Sequence, residues 1–311
     1  MAIPDFLVGR LRLPVIAAPM FLVSTPELVL AQCRAGVVGA FPSLNARPSG
    51  VFEHWLQRLT AELTDADAPF AVNLIVHGSN ARLAEDLAVC VRYRVPIVIA
   101  SLGARAEVND AIHSYGGIVL NDVIDDRFAR KAIAKGADGL IAVAAGAGGH
   151  GGTLSPFALV AEIRRWFDGP LALSGAIATG AAIAAARALG ADFAYIGSAF
   201  IATEEANAVP AYKRMIVDGA ARDILCSNLF TGVHGNYLRP SIVAAGLDPD
   251  ALPMSDGSKM NVADFGSDAK AWRDIWGCGQ GIGAVDAVVP AAVLVERLER
   301  EYRAALAGLA G

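Results

Sequence analysis

Residues 171–200 have the sequence LALSGAIATGAAIAAARALGADFAYIGSAF and contain one complete strand–helix–strand unit. The apolar runs Leu171–Ser174 and Phe193–Gly197 predict two buried strands, and the alanine-rich stretch Ala181–Leu189 predicts the helix between them. LGAD at 189–192 ends that helix with a glycine that can take a positive φ, and KGAD at 135–138 has the same helix-stop chemistry. This recurrence favours a chain built from repeated strand–helix units.

Eight such units follow one another from residue 15 to residue 217. The predicted strands are Val15–Ala18, Val37–Phe41, Phe70–Ile75, Pro96–Ala100, Ile118–Asn121, Gly139–Val143, Leu171–Ser174 and Phe193–Gly197. The predicted helices are Glu27–Ala35, Gly50–Leu63, Ala81–Tyr93, Ala104–Tyr115, Asp126–Lys135, Pro156–Phe167, Ala181–Leu189 and Glu204–Val217. Nearly continuous apolar strands are typical of a parallel sheet covered on both faces, so the pattern predicts an α/β chain that forms a closed (β/α)8 TIM barrel.

This regular alternation ends near residue 217. Residues 218–284 are rich in Gly, Pro, Asn, Trp and Asp and show only weak periodicity, whereas Pro290–Leu309 has an amphipathic helical pattern. We therefore expect a ligand-binding barrel over residues 1–217 and a small, mostly helical accessory subdomain over 218–284 that acts as a substrate lid. A C-terminal helix within 285–311 should return to the barrel.

The composition excludes several classes of protein. The 311 residues include 54 % hydrophobic and 18 % charged side chains, which is too apolar for a disordered chain. A net charge of −5 without a Lys/Arg-rich block makes nucleic acid and anionic membranes unexpected partners. The uncharged stretches are interrupted by Gly, Pro and Ser, and the N-terminus has no signal-peptide pattern. Four widely spaced cysteines without metal-ligand spacing then predict a cytoplasmic protein with reduced thiols and no metal site, and a homodimer remains open.

Glycine-rich loops follow the seventh and eighth predicted strands. Ser174, Gly175 and Ala176 begin one loop, and Gly197 and Ser198 begin the other. Small residues let peptide N–H groups approach an anion, and these two loops are a frequent phosphate site in barrels. A single loop of this kind could be only a tight turn, but two in adjacent positions predict a phosphate cradle, the name used below for residues 174–180 and 197–200.

The loop after the sixth strand, AAGAGGHGGT at 144–153, places His150 among five glycines. Although residues 146–151 match G-x-G-x-x-G, they do not follow the first strand of a dinucleotide-binding unit, so a Rossmann site is not predicted. Bare backbone lets a flat ligand stack, with His150 above it as acid, base or hydrogen-bond donor. The alternative is a surface histidine in a flexible loop.

Further polar residues fall at strand ends. Asn73 interrupts the apolar strand FAVNLIV, and it could address the polar edge of a heterocycle or bond to neighbouring backbone. Pro19 and Met20 end the first strand and could form the wall of a ring site, although Met20 alone would equally be a core residue. Asn121 and its neighbour Asp122 end the fifth strand as a polar pair expected to face the same opening.

The accessory region contains two more candidate segments. His234 and Tyr237 lie in a polar and aromatic stretch that could line a substrate pocket, and residues 277–283 form a second glycine-rich loop. Each segment could equally be a structured connection.

Taken together, the sequence resembles the nitronate monooxygenase family, FMN-dependent barrels formerly called 2-nitropropane dioxygenases. The resemblance runs through most of the chain. It rests on LPVIAAPM (13–20), AVNLIV (71–76), AGAGGHGGTLSPF (145–157), LSGAIATG (173–180), LGADFAYIGSAFIATEE (189–205) and WGCGQGIGAV (276–285).

This resemblance implies FMN at the barrel mouth, with its phosphate in the cradle and His150 near the reactive face of the flavin. By motif, the cofactor contacts would come from Pro19, Met20, Asn73, Asn121, Gly148, Ser174, Gly175, Ala176, Gly197 and Ser198. Several relatives have a lysine near the end of the fifth strand, where this chain has Asn121, so the stabilisation of the reduced flavin is expected to differ.

The activity that the resemblance implies is oxidation of alkyl nitronates by flavin and O2 to a carbonyl compound and nitrite, with neutral nitroalkanes as further candidate substrates. Two alternatives stay open. One is an NAD(P)H-dependent flavin reductase of quinones or enoyl-thioesters on the same barrel. The other is a flavin-free barrel that binds a phosphorylated metabolite in the cradle.

Overall fold

A computed structural model describes residues 3–48, 50–254 and 274–310. Eight parallel strands form the predicted barrel, and neighbours along the chain are neighbours in the sheet. The strands are β1 Val15–Ala17, β2 Gly39–Pro42, β3 Phe70–Ile75, β4 Ile97–Ser101, β5 Ile118–Val123, β6 Gly139–Val143, β7 Leu171–Ser174 and β8 Phe193–Ile196. β1 pairs with β8, and a bridge between Ile16 and Val38 joins β1 to the β2 side. The (β/α)8 fold predicted from the sequence is confirmed.

Helices cover the outside of the barrel. They are α1 Pro26–Arg34, α2 Gly50–Glu62, α3 Leu83–Arg92, α4 Ala106–His113, α5 Asp126–Ala134, α6 Pro156–Arg164, α7 Gly180–Leu189, α8 Ser198–Ile201, α9 Pro210–Asp218, α10 Arg239–Ala244 and α11 Ala291–Ala310. Gly190 ends α7 with φ 109°, the helix stop predicted from LGAD. None of the described helices combines the length and apolar character needed to cross a membrane.

The predicted helix Glu204–Val217 is wrong in its first part. The chain forms the single turn α8 directly after β8, and the next helix, α9, begins only at Pro210. The fixed φ of proline suits the first position of a helix, which explains this start. Thr203 does not cap a helix, because its hydroxyl donates to the carbonyl of Phe200 at 2.7 Å.

The accessory region is attached to the barrel by a small antiparallel sheet. Strands β9 Ile224–Ser227 and β10 Gly235–Leu238 form a hairpin, and β10 also pairs with the two-residue strand Gly149–His150. The sequence pattern predicts a mostly helical accessory region and does not indicate this hairpin. Part of the predicted subdomain, residues 255–273, lies outside the described residues, and the boundaries at 217/218 and 284/285 remain predictions.

The C-terminal helix α11 packs tightly against α7 at Gly180. A Cβ atom at Gly180 would lie 2.1 Å from the Tyr302 nitrogen and 2.3 Å from the Leu298 carbonyl oxygen. The Glu301 carboxylate accepts the Gly180 N–H at 2.7 Å, which satisfies one of the free donors at the start of α7. The helix that follows the accessory region is therefore held on the barrel by backbone contact.

We expect Gly180→Ala to destabilise the protein, because the added methyl group would force α7 and α11 apart. Overpacking of this kind costs about 1 to 3 kcal/mol, measured as a lower free energy of unfolding in urea. Gly308→Ala in α11 is the matched control, since a Cβ at Gly308 meets open space. The control should raise the free energy of unfolding by less than about 1 kcal/mol. Equal stability of the two variants would contradict this account of the contact.

Candidate active site

A cavity of about 620 Å³ opens at the C-terminal ends of the barrel strands. Its volume falls within the range of small-molecule sites. The structure brings most of the predicted site residues into its wall: Pro19, Met20, Asn73, Gly148, His150, Ser174, Gly175, Ala176, Gly197 and Ser198. This placement joins the two predicted loops and the glycine-flanked histidine in one site, while the role of each residue remains a prediction.

The cavity has a polar floor formed by interior-facing strand residues. Because side chains alternate along a strand, the residue two positions after a buried interior residue also faces the interior. On β5 the interior residue Leu120 packs with Ile99 and Ile141, and Asp122 therefore follows on the same face. The residues of the polar floor, all in the cavity wall, are Asn73, Ser101, Asp122, Ser174 and Tyr195.

Hydrogen bonds connect the floor residues of β3, β4 and β5. The Asn73 amide nitrogen donates to the Ser101 hydroxyl at 2.7 Å and to the Ile99 carbonyl at 2.9 Å. The Ser101 hydroxyl and the Leu102 N–H in turn hydrogen-bond the Asp122 carboxylate. Both amide protons of Asn73 are thus engaged, and its oxygen is the atom left to meet a ligand.

Asp122 is a carboxyl group that has no cationic partner among the described residues of the site. The described residues of the cavity wall include no lysine or arginine. Burial raises the pKa of Asp122 to about 6, and the bonds from Ser101 and Leu102 only partly offset this effect. Burial and the nearby Asp122 charge also raise the pKa of Tyr195 well above its usual value. Asp122 therefore changes its charge close to neutral pH.

Asn121, the predicted cofactor contact on β5, does not lie in the cavity wall. Its side chain faces outward, where the amide nitrogen donates to the carbonyls of Gly103 at 2.6 Å and Ala100 at 3.2 Å. The next residue along β5, Asp122, lies in the floor instead. The expectation that both Asn121 and Asp122 face the opening is therefore wrong for Asn121, because alternation along β5 turns only one of two successive side chains to the interior.

The phosphate cradle presents peptide N–H groups to the cavity. Gly175 and Ile177 both line it, and within the described chain their N–H groups donate no backbone hydrogen bond. The first N–H groups of α8, at Ser198 and Ala199, have no intrahelical acceptor by the geometry of a helix start. The start of α7 contributes less, because Thr179 and Glu301 already accept two of its N–H groups.

A third backbone segment, residues 277–281, connects the two loops of the cradle. The Gly279 N–H donates to the Ser198 hydroxyl at 2.9 Å, and the N–H groups of Gln280 and Ala176 both donate to the Gly146 carbonyl. A Cβ at Gly148 would lie 2.7 Å from the Gly279 nitrogen, so these segments touch only because they lack side chains. The glycine-rich segment 277–283 therefore helps to hold the loops of the cradle together.

His150 is held over the cavity by the accessory hairpin. Its backbone pairs with Gly235, and its Nε2 lies 2.9 Å from the Thr231 hydroxyl oxygen. That hydroxyl donates its proton to the Val233 carbonyl at 3.0 Å, so we assign the proton of the imidazole to Nε2 and the lone pair to Nδ1. Burial lowers the pKa of His150 to about 4, which keeps the ring neutral at pH 7.

An aromatic pair forms another part of the wall. Tyr212 of α9 and Trp276 stack with ring centroids 4.8 Å apart and an interplanar angle of 15°. The Tyr212 hydroxyl donates to the Gly277 carbonyl, which connects the pair to the segment behind the cradle. Sequence reasoning did not select either residue, because the pair forms between positions far apart in the chain.

Neither predicted substrate residue of the accessory region reaches the cavity. His234 is exposed and contributes its backbone carbonyl, which accepts the Gly151 N–H at 3.4 Å. Tyr237 is fully buried in a small core with Ile242 and Ile275, away from the cavity wall. Along β10 the side chains alternate, and the strand directs Tyr237 into this core instead of toward the barrel.

The stability of the protein should depend on pH through Asp122. The pKa of this carboxyl is raised in the folded state from an ordinary 3.8 to about 6, so folding favours the protonated form. The stabilisation of the folded state by the protonated carboxyl is fully present below about pH 4 and is lost as the pH rises through 6. Asp122→Asn removes the titration and should gain roughly 1 to 3 kcal/mol over the unmodified protein between pH 4 and pH 8. Urea unfolding of both proteins at several pH values measures the difference, and a difference independent of pH would contradict the assignment.

The chain is similar to known proteins in both sequence and structure. A sequence profile of the nitronate monooxygenase family matches residues 44–301. A nitronate monooxygenase of Paraburkholderia phytofirmans is 29 % identical over 93 % of this chain and 92 % of its own length. The structure of a nitroalkane oxidase from Streptomyces ansochromogenes has a TM-score of 0.81 at 26 % identity, covering 98 % of this chain and 100 % of that one. FabK from Thermotoga maritima has a TM-score of 0.83 at 26 % identity, covering 99 % and 97 %. The family predicted from the sequence motifs is confirmed, and the chain belongs to the nitronate monooxygenase family.

Proposed function

We propose that this chain is an FMN-dependent enzyme that oxidises alkyl nitronates and neutral nitroalkanes with O2 to a carbonyl compound and nitrite. Family membership supports an oxidoreductase of the nitronate monooxygenase type. The observation that carries the finer proposal is that one cavity holds the phosphate cradle, the polar floor and His150.

The residues of the cavity fit a flavin mononucleotide. With no lysine or arginine among the described wall residues, a phosphate would be held by N–H groups, and the cradle residues in the wall that can supply them include Gly175, Ile177 and Ser198. A Cβ at Gly175 would lie 2.8 Å from the Ala145 carbonyl oxygen, so the approach is kept free of side chains. The flat ring system would lie between the polar floor and the bare backbone at Gly148.

Bound FMN would supply the acceptor for the substrate's electrons and the route by which they reach O2. The chain's own contribution is to orient the ring, exclude water with the apolar wall and accept a proton. Met20 and Asn73 would contact the ring, in agreement with their places in the cavity wall.

His150 is suited to take the α-proton from a neutral nitroalkane. Its lowered pKa keeps the half-buried imidazole neutral at pH 7, so that the ring can accept a proton, and the Thr231 hydroxyl, 2.9 Å from Nε2, orients it. The reaction of a pre-formed nitronate needs no such proton transfer. The two substrates therefore separate the role of His150 from the rest of the reaction.

The cradle predicts strong discrimination between FMN and riboflavin. Hydrogen bonds from N–H groups to an ionised phosphate are each worth about 1.5 to 3 kcal/mol, so FMN should bind at least roughly 100-fold more tightly. Fluorescence titration of the flavin-free protein with each compound measures the ratio. Equal affinities would show that the cradle does not hold the phosphate.

Replacing His150 should affect the two substrates unequally. His150→Asn is expected to lower kcat/KM for a neutral nitroalkane by about 10²- to 10⁴-fold, because the general base is lost. The visible spectrum of the bound FMN should stay unchanged, and kcat/KM for the pre-formed nitronate should fall by less than about tenfold. His54→Asn, an exposed histidine on α2, is the matched control and should change neither value. Unchanged nitroalkane turnover in His150→Asn would remove this residue from the mechanism.

Two further results would replace the proposal. Purified protein that is colourless and takes up no FMN would favour a flavin-free barrel acting on a phosphorylated metabolite. Rapid bleaching of the bound flavin by NADH without oxygen, together with no nitrite from a nitronate in air, would favour the NAD(P)H-dependent reductase.

A further inference from the structure

The floor of the cavity carries one group that the proposed reaction does not use, the carboxyl of Asp122. This side chain is fixed by its position on β5 and by the hydrogen bonds from Ser101 and Leu102. It takes part in no ion pair among the described residues, and the charged side chains of Lys and Arg are absent from the described part of the wall. Within the described part of the chain, the charge of Asp122 is therefore balanced by dipoles and not by a cation.

The other titratable groups of the described wall do not change charge near neutral pH. Tyr195 on β8 and Tyr212 on α9 both have a pKa raised well above 10 by burial. Burial lowers the pKa of His150 to about 4, so this ring is neutral above pH 5. Ser101 on β4 and the interior residues of β6, Ile141 and Val143, carry no charge. Between about pH 5 and 8, the charge of this part of the wall changes at Asp122.

We propose that the Asp122 carboxylate acts on the bound flavin itself, by opposing negative charge on the reduced ring, so that the site holds oxidised FMN in preference to reduced FMN. The inference rests on the proposed function, because it requires FMN in the cavity. In this proposal the polar floor sets how strongly the bound cofactor acts as a reductant, whereas His150 transfers the proton.

The physical basis is the position of the carboxylate in a cavity of low polarity. A ring system held by the cradle on β7 and β8 would lie above the floor, and reduction would add negative charge to it. An ionised carboxylate in the floor, with no lysine or arginine among the described wall residues, would destabilise that charge. A destabilised reduced flavin gives up its electrons more readily, which suits transfer to O2.

Binding of FMN in its two oxidation states tests the inference without measuring turnover. The dissociation constants of oxidised and, without oxygen, reduced FMN are determined at pH 5 and pH 8 for the unmodified protein and for Asp122→Asn. At pH 8 the variant should lower the ratio of the reduced to the oxidised constant by roughly ten- to a hundredfold. At pH 5, where the carboxyl is protonated, the two proteins should agree within about twofold.

Asp110→Asn on α4 is the matched control, since it removes the same charge from an exposed position, and it should follow the unmodified protein at both pH values. An unchanged ratio in Asp122→Asn at pH 8 would overturn the inference. If the unmodified protein binds no FMN in either state, the proposed function fails instead.

A second variant keeps the test decisive if Asp122→Asn does not fold. Ser101→Ala removes a hydrogen bond that stabilises the ionised carboxylate. The pH at which the ratio of the two constants changes should therefore move upward, whereas a transition at the same pH would overturn the inference.

Discussion

The site depends on the contact of three backbone segments that have almost no side chains. Residues 146–148, 175–176 and 277–281 approach so closely that a Cβ at Gly148, Gly175 or Gly279 would fall within 3 Å of a neighbouring backbone atom. This contact joins the loops after β6 and β7 to the segment that precedes the C-terminal helix, and the Gly279–Ser198 hydrogen bond brings in the loop after β8. The cradle exists because parallel barrel strands bring all of these loops to the same end.

Strand alternation gives the cavity its floor and its electrostatics. Because side chains alternate along each strand, Ile99, Leu120 and Ile141 face the interior and fill the barrel. Asn73, Ser101 and Asp122 face the same interior nearer the C-terminal ends of their strands, where they form the floor. Above this floor, the hairpin β9–β10 holds His150 through backbone pairing and Thr231. Burial lowers the pKa of His150, which keeps the ring neutral at pH 7, and it raises the pKa of Asp122 to about 6.

The barrel and the cradle were predictable because their signals are local. LGAD and KGAD mark helix ends, and the apolar strands together with the glycine loops after the seventh and eighth of them lie within short windows. What local patterns could not provide are contacts between distant positions. His150 and Thr231 are 81 residues apart, as are Ser198 and Gly279, and no local pattern indicates either pairing. The expected polar pair Asn121 and Asp122 shows another limit, since two successive strand residues face opposite sides and an apolar strand buried on both faces does not mark which side is interior.

The central claim is that peptide N–H groups at the ends of β7 and β8 anchor a mononucleotide whose ring lies between the polar floor and His150. A crystal structure of the protein with FMN tests this most directly. The account predicts the phosphate within hydrogen-bond distance of the N–H groups of Gly175 or Ile177 and of Ser198 or Ala199, with the ring in contact with Asn73. A phosphate outside these two loops, or a ring that does not reach the floor, would contradict it.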